Sequence, residues 1–361
     1  MKGKRIIISG GGTAGHIYPA LAVGQKLKER EPDCILTFVG TTRSLEQRIM
    51  AHSNANFIPL KIEGFKEKGF KIFKSLYHLP FSFLKSMGIL IRIKPNLVIG
   101  VGGYSSGPIV LLASWLKIPT LIMEQNLQPG LTNRLLRRWV RKVVVSFERS
   151  LPHFKGKGIL IGNPVREEFY TLRPKQRNST LNLLIFGGSQ GSHFLNTSMM
   201  HSLPLLKKEK DRLRIFHQTG EKDLEWVKQS YVQEEFKEVT VAPYFDDMAS
   251  CFQKSDLIIS RAGASTVAEL IASQKASILI PFSQAADNHQ VLNAQELERV
   301  NGTEVITEKG FSPEAFSQKI LDFLEDKEKI NAMEKNLAPL KTEEVADKIA
   351  NLCLELMEKE Q

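Results

Sequence analysis

The sequence predicts an α/β protein of two Rossmann-like domains, each built on a parallel sheet and facing the other across a cleft. Three observations carry that expectation. Short apolar strands alternate with helical segments along nearly all of the 361 residues, the pattern of parallel sheets covered on both faces. A glycine-rich turn that follows a strand and opens a helix occurs twice. It reads Ile6-Ile7-Ile8-Ser9-Gly10-Gly11-Gly12-Thr13-Ala14-Gly15-His16 and then Leu183-Leu184-Ile185-Phe186-Gly187-Gly188-Ser189-Gln190-Gly191-Ser192, with Gly11, Gly12 and Gly15 registering on Gly187, Gly188 and Gly191. A polar break, Gly162-Asn163-Pro164 and then Arg173 to Thr180, falls near mid-chain. A strand, a tight glycine turn and a helix N-terminus bring backbone N–H groups to an anion or polar ligand. Two such units, half a chain apart, describe an enzyme that joins two substrates.

The elements follow in order. In the first half, strands are expected over 5–9, 35–39, 97–100, 119–123, 143–147 and 158–161, with helices over 19–30, 44–51, 107–116 and 130–139 among those between them. The second half repeats the alternation, with strands near 182–186, 213–217, 239–241, 256–259 and 277–280. The domains are expected to span 1–162 and 163–342. In the tail, Val345, Ile349, Leu352, Cys353 and Leu356 recur at helical spacing, so a closing helix over 343–361 is expected to dock one face, back on the first domain.

Composition narrows the class. The chain is 42% hydrophobic and 24% charged, ordinary for a globular protein. Cys34, Cys251 and Cys353 lie far apart and in no CxxC pattern, which argues against a disulfide scaffold or zinc site and suits a reducing cytoplasm. The apolar run Ile6–Ile8 is too short for a secretory signal, and no stretch approaches the roughly 18–20 apolar residues of a membrane span. A net charge of +10 calls for an anionic partner: nucleic acid, lipid or a phosphorylated substrate.

Gly10-x-Gly12-x-x-Gly15 matches the dinucleotide fingerprint, which also wants an acidic residue at the end of the second strand to hold a ribose. That strand ends Phe38-Val39-Gly40-Thr41-Thr42-Arg43 with no carboxylate, which weakens a nicotinamide oxidoreductase. His16, directly after the loop, reads either as a helix cap or as a general base, because imidazole titrates near working pH. Ser260-Arg261-Ala262-Gly263-Ala264-Ser265-Thr266-Val267-Ala268-Glu269 follows a strand, and its small residues let phosphate oxygens approach a helix N-terminus. Glu269, further along that helix, is placed either to accept hydrogen bonds from a ribose diol or to stand in solvent. Phe282 to Gln290 crowds polar side chains after a strand end, where open α/β sheets put ligands, and His289 and Gln290 offer sugar-hydroxyl chemistry. Asp246-Asp247 are two adjacent carboxylates on one loop and do not make a metal site alone.

Taken together, these residues resemble the MurG family, the bacterial N-acetylglucosaminyltransferases of peptidoglycan synthesis. The resemblance also rests on Val101-Gly102-Gly103-Tyr104-Ser105-Ser106-Gly107-Pro108, Glu124-Gln125-Asn126, Gly162-Asn163-Pro164-Val165-Arg166 and Asp246-Asp247-Met248, and it runs in order over nearly the whole chain. It implies a GT-B fold and inverting transfer of N-acetylglucosamine from UDP-N-acetylglucosamine to the C4 hydroxyl of the muramyl sugar of undecaprenyl-linked lipid I, giving lipid II, with no metal and no cofactor. Residue by residue it implies that Thr13, Ala14, Gly15 and Asn126 line the site from the first domain. Arg166 and Ser189 would approach the donor's diphosphate and sugar, and Phe245 the uracil, through its backbone. Ala264, Ser265, Thr266, Val267, Ala268 and Glu269 would hold diphosphate and ribose, and Gln290 the sugar hydroxyls. Where the family often has two glutamines, this chain has His289-Gln290. His16 is the expected base, and helix-terminal N–H groups with Arg166 would stabilise the departing diphosphate.

Much of the excess charge sits in residues 61–94, where Lys61, Lys66, Lys68, Lys71, Lys74, Lys85, Arg92 and Lys94 face only Glu63 and Glu67. Phe65, Phe70, Phe73, Tyr77, Phe81 and Phe83 are interleaved. Aromatics among lysines describe either a patch that dips into headgroups while ammonium groups meet anionic lipid, the favoured reading, or aromatics in the core beside lysines in solvent. Arg134, Arg137, Arg138 and Arg141 beside Trp139 have helical spacing and are expected to share that face. With a lipid acceptor, the location implied is the cytoplasmic face of the plasma membrane. No nucleic-acid motif accompanies the charge. A UDP-N-acetylglucosamine epimerase on the same twin fold, a lipid glycosyltransferase with another acceptor such as diacylglycerol, and a non-catalytic nucleotide-binding module are the alternatives.

Overall fold

The structure, a computed structural model, describes residues 3–12, 14–53, 55–60, 71–172 and 178–358. Of the residues singled out above, Thr13 and the basic segment 61–70 lie outside these, as do the side chains of Ala14 and of residues 71–79. The chain forms two compact units, Met1–Arg166 with Glu344–Gln361, and Glu167–Glu343.

The first unit runs β1 (Arg5–Ser9), α1 (Ala14–Arg30), β2 (Ile35–Thr41), α2 (Ser44–His52), β3 (Phe57–Leu60), α3 (Lys71–Ile93), β4 (Leu97–Gly100), α4 (Ser106–Trp115), β5 (Thr120–Glu124), α5 (Leu131–Leu136), β6 (Lys142–Val145) and β7 (Gly158–Leu160). Its seven strands are all parallel, in the order β3-β2-β1-β4-β5-β6-β7. Alternate residues of each strand go to opposite faces. Ile6, Ile8, Leu97 and Ile99 pack with α1, while Ile7, Val98 and Ile122 pack with α3, α4 and α5. Strand β3 has no counterpart in the sequence reading. Its Pro59 lacks an N–H, which an edge strand tolerates and a central one does not.

The second unit runs β8 (Leu181–Phe186), α6 (His193–Leu206), β9 (Leu213–Gln218), α7 (Leu224–Gln233), β10 (Val239–Ala242), α8 (Met248–Lys254), β11 (Leu257–Ser260), α9 (Ala264–Ser273), β12 (Ser277–Leu279), α10 (His289–Glu298), β13 (Glu304–Val305), α11 (Pro313–Glu325) and α12 (Lys327–Leu337). Its six strands are parallel in the order β10-β9-β8-β11-β12-β13. All six residues of β8 are buried, which only a sheet covered on both faces requires.

The last helix, α13 (Val345–Glu358), belongs to the first unit. Val345, Ile349, Ala350, Cys353 and Met357 form its buried stripe and join the cluster containing Ile17, Val23 and Leu27 of α1. Asp347 reaches Arg30 at 3.1 Å and Lys26 at 3.7 Å along the rim. All three cysteines are buried and free.

Candidate active site

Both sheets reverse direction of growth beside their first strand, between β1 and β4 and between β8 and β11. Ligands of open α/β sheets bind at such switch points, outside the carboxyl ends of the strands. The loops that end these four strands carry most of the residues named above.

In the first unit the loops after β1 and β4 abut: a Cβ on Gly103 would stand 2.6 Å from Gly11 O. His16 lies in the first turn of α1, and its imidazole packs directly on Gly102, where a Cβ would meet Cε1 at 2.8 Å and Nδ1 at 3.1 Å. Gly15 precedes it in the same turn, and the backbone of Ala14 begins it. Gln125 reaches the same place, its Nε2 donating to Val101 O at 3.0 Å. Asn126 follows β5 and is held by Glu124, whose Oε1 accepts from the Asn126 backbone and side-chain amides at 3.0 and 3.3 Å. The other oxygen of Glu124 accepts from Gly130 N and Asn133 Nδ2. Complete burial pushes the Glu124 carboxyl above the usual range, and these donors pull it only part of the way back. Arg166, at the boundary between the units, lays its guanidinium over the Tyr18 ring at 5.1 Å, two residues beyond His16.

In the second unit, Gly188 takes φ +91°, the same left-handed value as its counterpart Gly12. The turn places Ser189 between β8 and α6, half-buried. Gln218, buried at the end of β9, ties two parts of the site together. Its Nε2 donates to Gly188 O at 2.9 Å and its Oε1 accepts from Phe245 N at 2.8 Å. The Phe245 N–H is thus occupied, and what that backbone offers a base is its carbonyl. Helix α9 opens on Gly263, which brings no side chain to the first turn. Ala264, Ser265, Thr266, Ala268 and Glu269 are half-buried along it. The Val267 side chain is 1% exposed and its N–H donates to Gly263 O, so it packs α9 on the core. Gln290, the second residue of α10, accepts from Phe282 N at 3.0 Å. His289 turns to Ala286 O. Asp247 caps α8, accepting from Ser250 N at 2.9 Å, which is the structural use of the Asp246-Asp247 pair.

Arg261 holds this constellation together. Its Nε donates to Ser192 Oγ at 3.0 Å, Nη1 to Ile280 O at 3.0 Å, and Nη2 pairs with Glu308 at 2.5 Å, while the guanidinium lies over Phe194 and Phe282. Glu308 in turn accepts from the Ser283 backbone and hydroxyl. One cation thereby connects the loops after β8, β11, β12 and β13. Sequence reasoning assigned no role to Gln218, Arg261, Glu308 or Glu124. Their only sequence signal is a polar residue at or just after a strand end.

The comparisons with known proteins fall on this architecture. Residues 6–145 match the glycosyltransferase family 28 N-terminal domain and residues 182–352 the family 28 C-terminal domain. A relative from Myxococcus xanthus, the UDP-N-acetylglucosamine--N-acetylmuramyl-(pentapeptide) pyrophosphoryl-undecaprenol N-acetylglucosamine transferase, is 39% identical over 357 residues, 98% of this chain and 93% of the relative. The chain belongs to glycosyltransferase family 28. A second member with the same name, from Syntrophotalea carbinolica, is 37% identical over 97% of this chain and 98% of its own. Among solved structures, Acinetobacter baumannii MurG superposes with a TM-score of 0.77 at 27% identity, covering 98% of this chain and 99% of that one. The fold is therefore GT-B, and the family match to both halves removes the nicotinamide oxidoreductase. A Listeria monocytogenes protein titled putative UDP-N-acetylglucosamine 2-epimerase shares the fold at a TM-score of 0.70 but only 10% identity.

Proposed function

We propose that this family 28 enzyme transfers N-acetylglucosamine from UDP-N-acetylglucosamine to the C4 hydroxyl of the muramyl sugar of undecaprenyl-linked lipid I, forming lipid II with inversion at the anomeric carbon. The observation that carries the reading is the 39% identity, over nearly the full length, to a transferase named for that donor and acceptor. The site is chemically suited to it. His16 removes the proton of the attacking hydroxyl, as a base set on a rigid glycine platform. Asn126, oriented by Glu124, supplies a neutral polar group for the acceptor sugar. UDP leaves with the bonding electrons, and the α9 N-terminus, Ser189 and Arg166 stabilise its diphosphate. Glu269 accepts from the ribose diol, Gln290 donates to the sugar hydroxyls, and the Phe245 carbonyl receives a uracil N–H.

The same reading places the enzyme on the cytoplasmic face of the plasma membrane. Among the described residues no helix is long and apolar enough to cross a membrane. Helices α3, α4 and α5 and the turn after α5 instead present exposed apolar side chains, with Phe81, Leu84, Ile91, Trp115, Leu135 and Trp139 all more than half exposed. Trp115 and Trp139 meet edge to face at 5.9 Å. Beside them a cavity of about 410 Å³ is lined by Ser114, Lys117, Ile118, Thr120, Trp139 and Arg141. Indoles with cations at their rim suit an anionic lipid surface.

Incubating the protein with labelled UDP-N-acetylglucosamine, with and without lipid I, tests the reaction. Label is expected in the lipid fraction only when lipid I is present. Label in free UDP-sugar products without acceptor would move the assignment to the epimerase.

A further inference from the structure

Residues 282–290, the loop after β12 and the start of α10, are largely exposed, yet their backbone holds a costly shape. Asp287 and Asn288 stand side by side in the left-handed region, at φ +53° and +52°. Aspartate and asparagine tolerate that region better than most residues, but two in a row persist only where the surroundings fix them. Within the loop, Ala285 N donates to Phe282 O and Asn288 N to Ala285 O, each at 3.1 Å. The Phe282 N–H donates to the Gln290 side chain, which closes the loop on itself. A second hold comes from below. Ser283 gives both its N–H, at 3.2 Å, and its hydroxyl to one oxygen of Glu308, a residue that follows β13. The other oxygen of Glu308 pairs with Arg261 Nη2 at 2.5 Å.

The pair beneath the loop is sheltered, with the Arg261 side chain 9% exposed and that of Glu308 14%. Burial by itself raises the Glu308 carboxyl, but the Ser283 hydrogen bonds and the Arg261 charge outweigh it and hold the group below the ordinary carboxylate value. Glu308 is therefore ionised at neutral pH, and both of its oxygens accept. An amide would not fit this place. Its one oxygen could serve Ser283 or Arg261, and its NH₂ would face a donor on the other side. Arg261 keeps two further acceptors, Ser192 Oγ and Ile280 O, that do not involve the loop. Ser283 sends both of its donors to Glu308. A change at Glu308 thus falls chiefly on the loop.

We infer that Glu308 is a positioning residue for residues 282–290, and that by fixing this loop on the buried Arg261 it sets the affinity for the sugar of the donor separately from that for the nucleotide. This rests on the reading above, in which Gln290 donates to the sugar hydroxyls while the α9 N-terminus holds the diphosphate. Loosening the loop then costs sugar recognition and spares UDP.

Calorimetry of the full-length protein with UDP and with UDP-N-acetylglucosamine, beside hydrogen exchange of the 282–290 backbone, tests this. Glu308→Gln is expected to weaken UDP-N-acetylglucosamine about tenfold, to leave UDP within about twofold, and to speed exchange in the loop. Ser283→Ala, a substitution at an exposed residue that leaves the Arg261–Glu308 pair intact, should move the ratio of the two affinities the same way by about threefold. A role in stability alone would weaken both ligands together. A folded Glu308→Gln that keeps the wild-type ratio overturns the inference, and should that variant not fold, Ser283→Ala decides by the same ratio. Wild type that binds both ligands but leaves lipid I unlabelled overturns the acceptor assignment alone. Wild type that binds neither overturns the donor reading and this inference with it.

Discussion

His16 packs on Gly102 with almost no clearance, so the imidazole is positioned by backbone that cannot retreat. Replacing it with alanine removes the proposed base and leaves every residue of the second unit unchanged. His16→Ala is expected to lower turnover by about 10²–10⁴-fold, the usual worth of positioned acid–base catalysis, while affinity for UDP stays within about twofold. Steady-state kinetics beside UDP calorimetry checks this, and undiminished turnover would remove His16 from the mechanism. At this scale the sequence singled out His16, Glu269 and Gln290 as candidates, since unusual residues beside glycine turns and strand ends are visible locally. It did not show Glu46 or Arg261. Glu46 reaches Gly12 across 34 positions and Arg261 reaches Ser192 across 69, and no local pattern encodes such separations.

Among the elements, the outer surface of α3, α4 and α5 departs most from a solvated helix face. Leu84 is 70% exposed and Leu135 66%, with Lys85, Arg134 and Arg138 as their neighbours in sequence. Side chains so exposed contribute little to the core, so Leu84→Glu with Leu135→Glu should fold normally and leave UDP affinity unchanged. Flotation with vesicles containing anionic phospholipid should show several-fold weaker binding for the pair. Equal flotation of the wild type and the variant would count against this face as the membrane contact. Helix α3 also marks a limit of reading elements from sequence. Its aromatics and lysines spoke for an interface, yet Phe83, Met87, Ile89 and Ile93 pack against the core under β4 and β5 while Phe81, Leu84 and Ile91 face out. One helix serves both roles because its two faces meet different surroundings.

Across the whole molecule, stability depends on buried polar groups as well as on two apolar cores. In the second unit, Asn196 Nδ2 donates to Thr219 O and Asp223, which leaves its Oδ1 to accept from His217 Nε2 at 3.0 Å. The Tyr231 hydroxyl then donates to Nδ1 at 2.9 Å. Complete burial pushes the His217 imidazole down to about 3 from an ordinary 6.5. Between those values the unfolded chain binds a proton that the folded chain refuses. The contribution of His217 is therefore complete above pH 6.5 and is lost as pH falls toward 3, by at most about 1.4 kcal/mol per pH unit. Comparing melting temperatures of wild type and His217→Gln between about pH 7 and about pH 5 should show a steeper loss in the wild type. Parallel curves would mean that the imidazole takes up its proton without unfolding.

The sequence by itself determined the class of fold, the two glycine turns and the strands that carry them. Each depends on neighbours within a few residues: apolar runs of strand length, φ above zero at Gly12 and Gly188, and small residues at the start of α9. It also determined family membership, because motifs in a given order survive without coordinates. Only the tertiary structure decided how the two turns differ. They read alike in sequence, but packing puts a carboxylate from α2 on the first and a neutral amide from β9 on the second. That choice depends on which side chains the folded sheet brings to a shared switch point, a matter of contact in space between residues far apart along the chain.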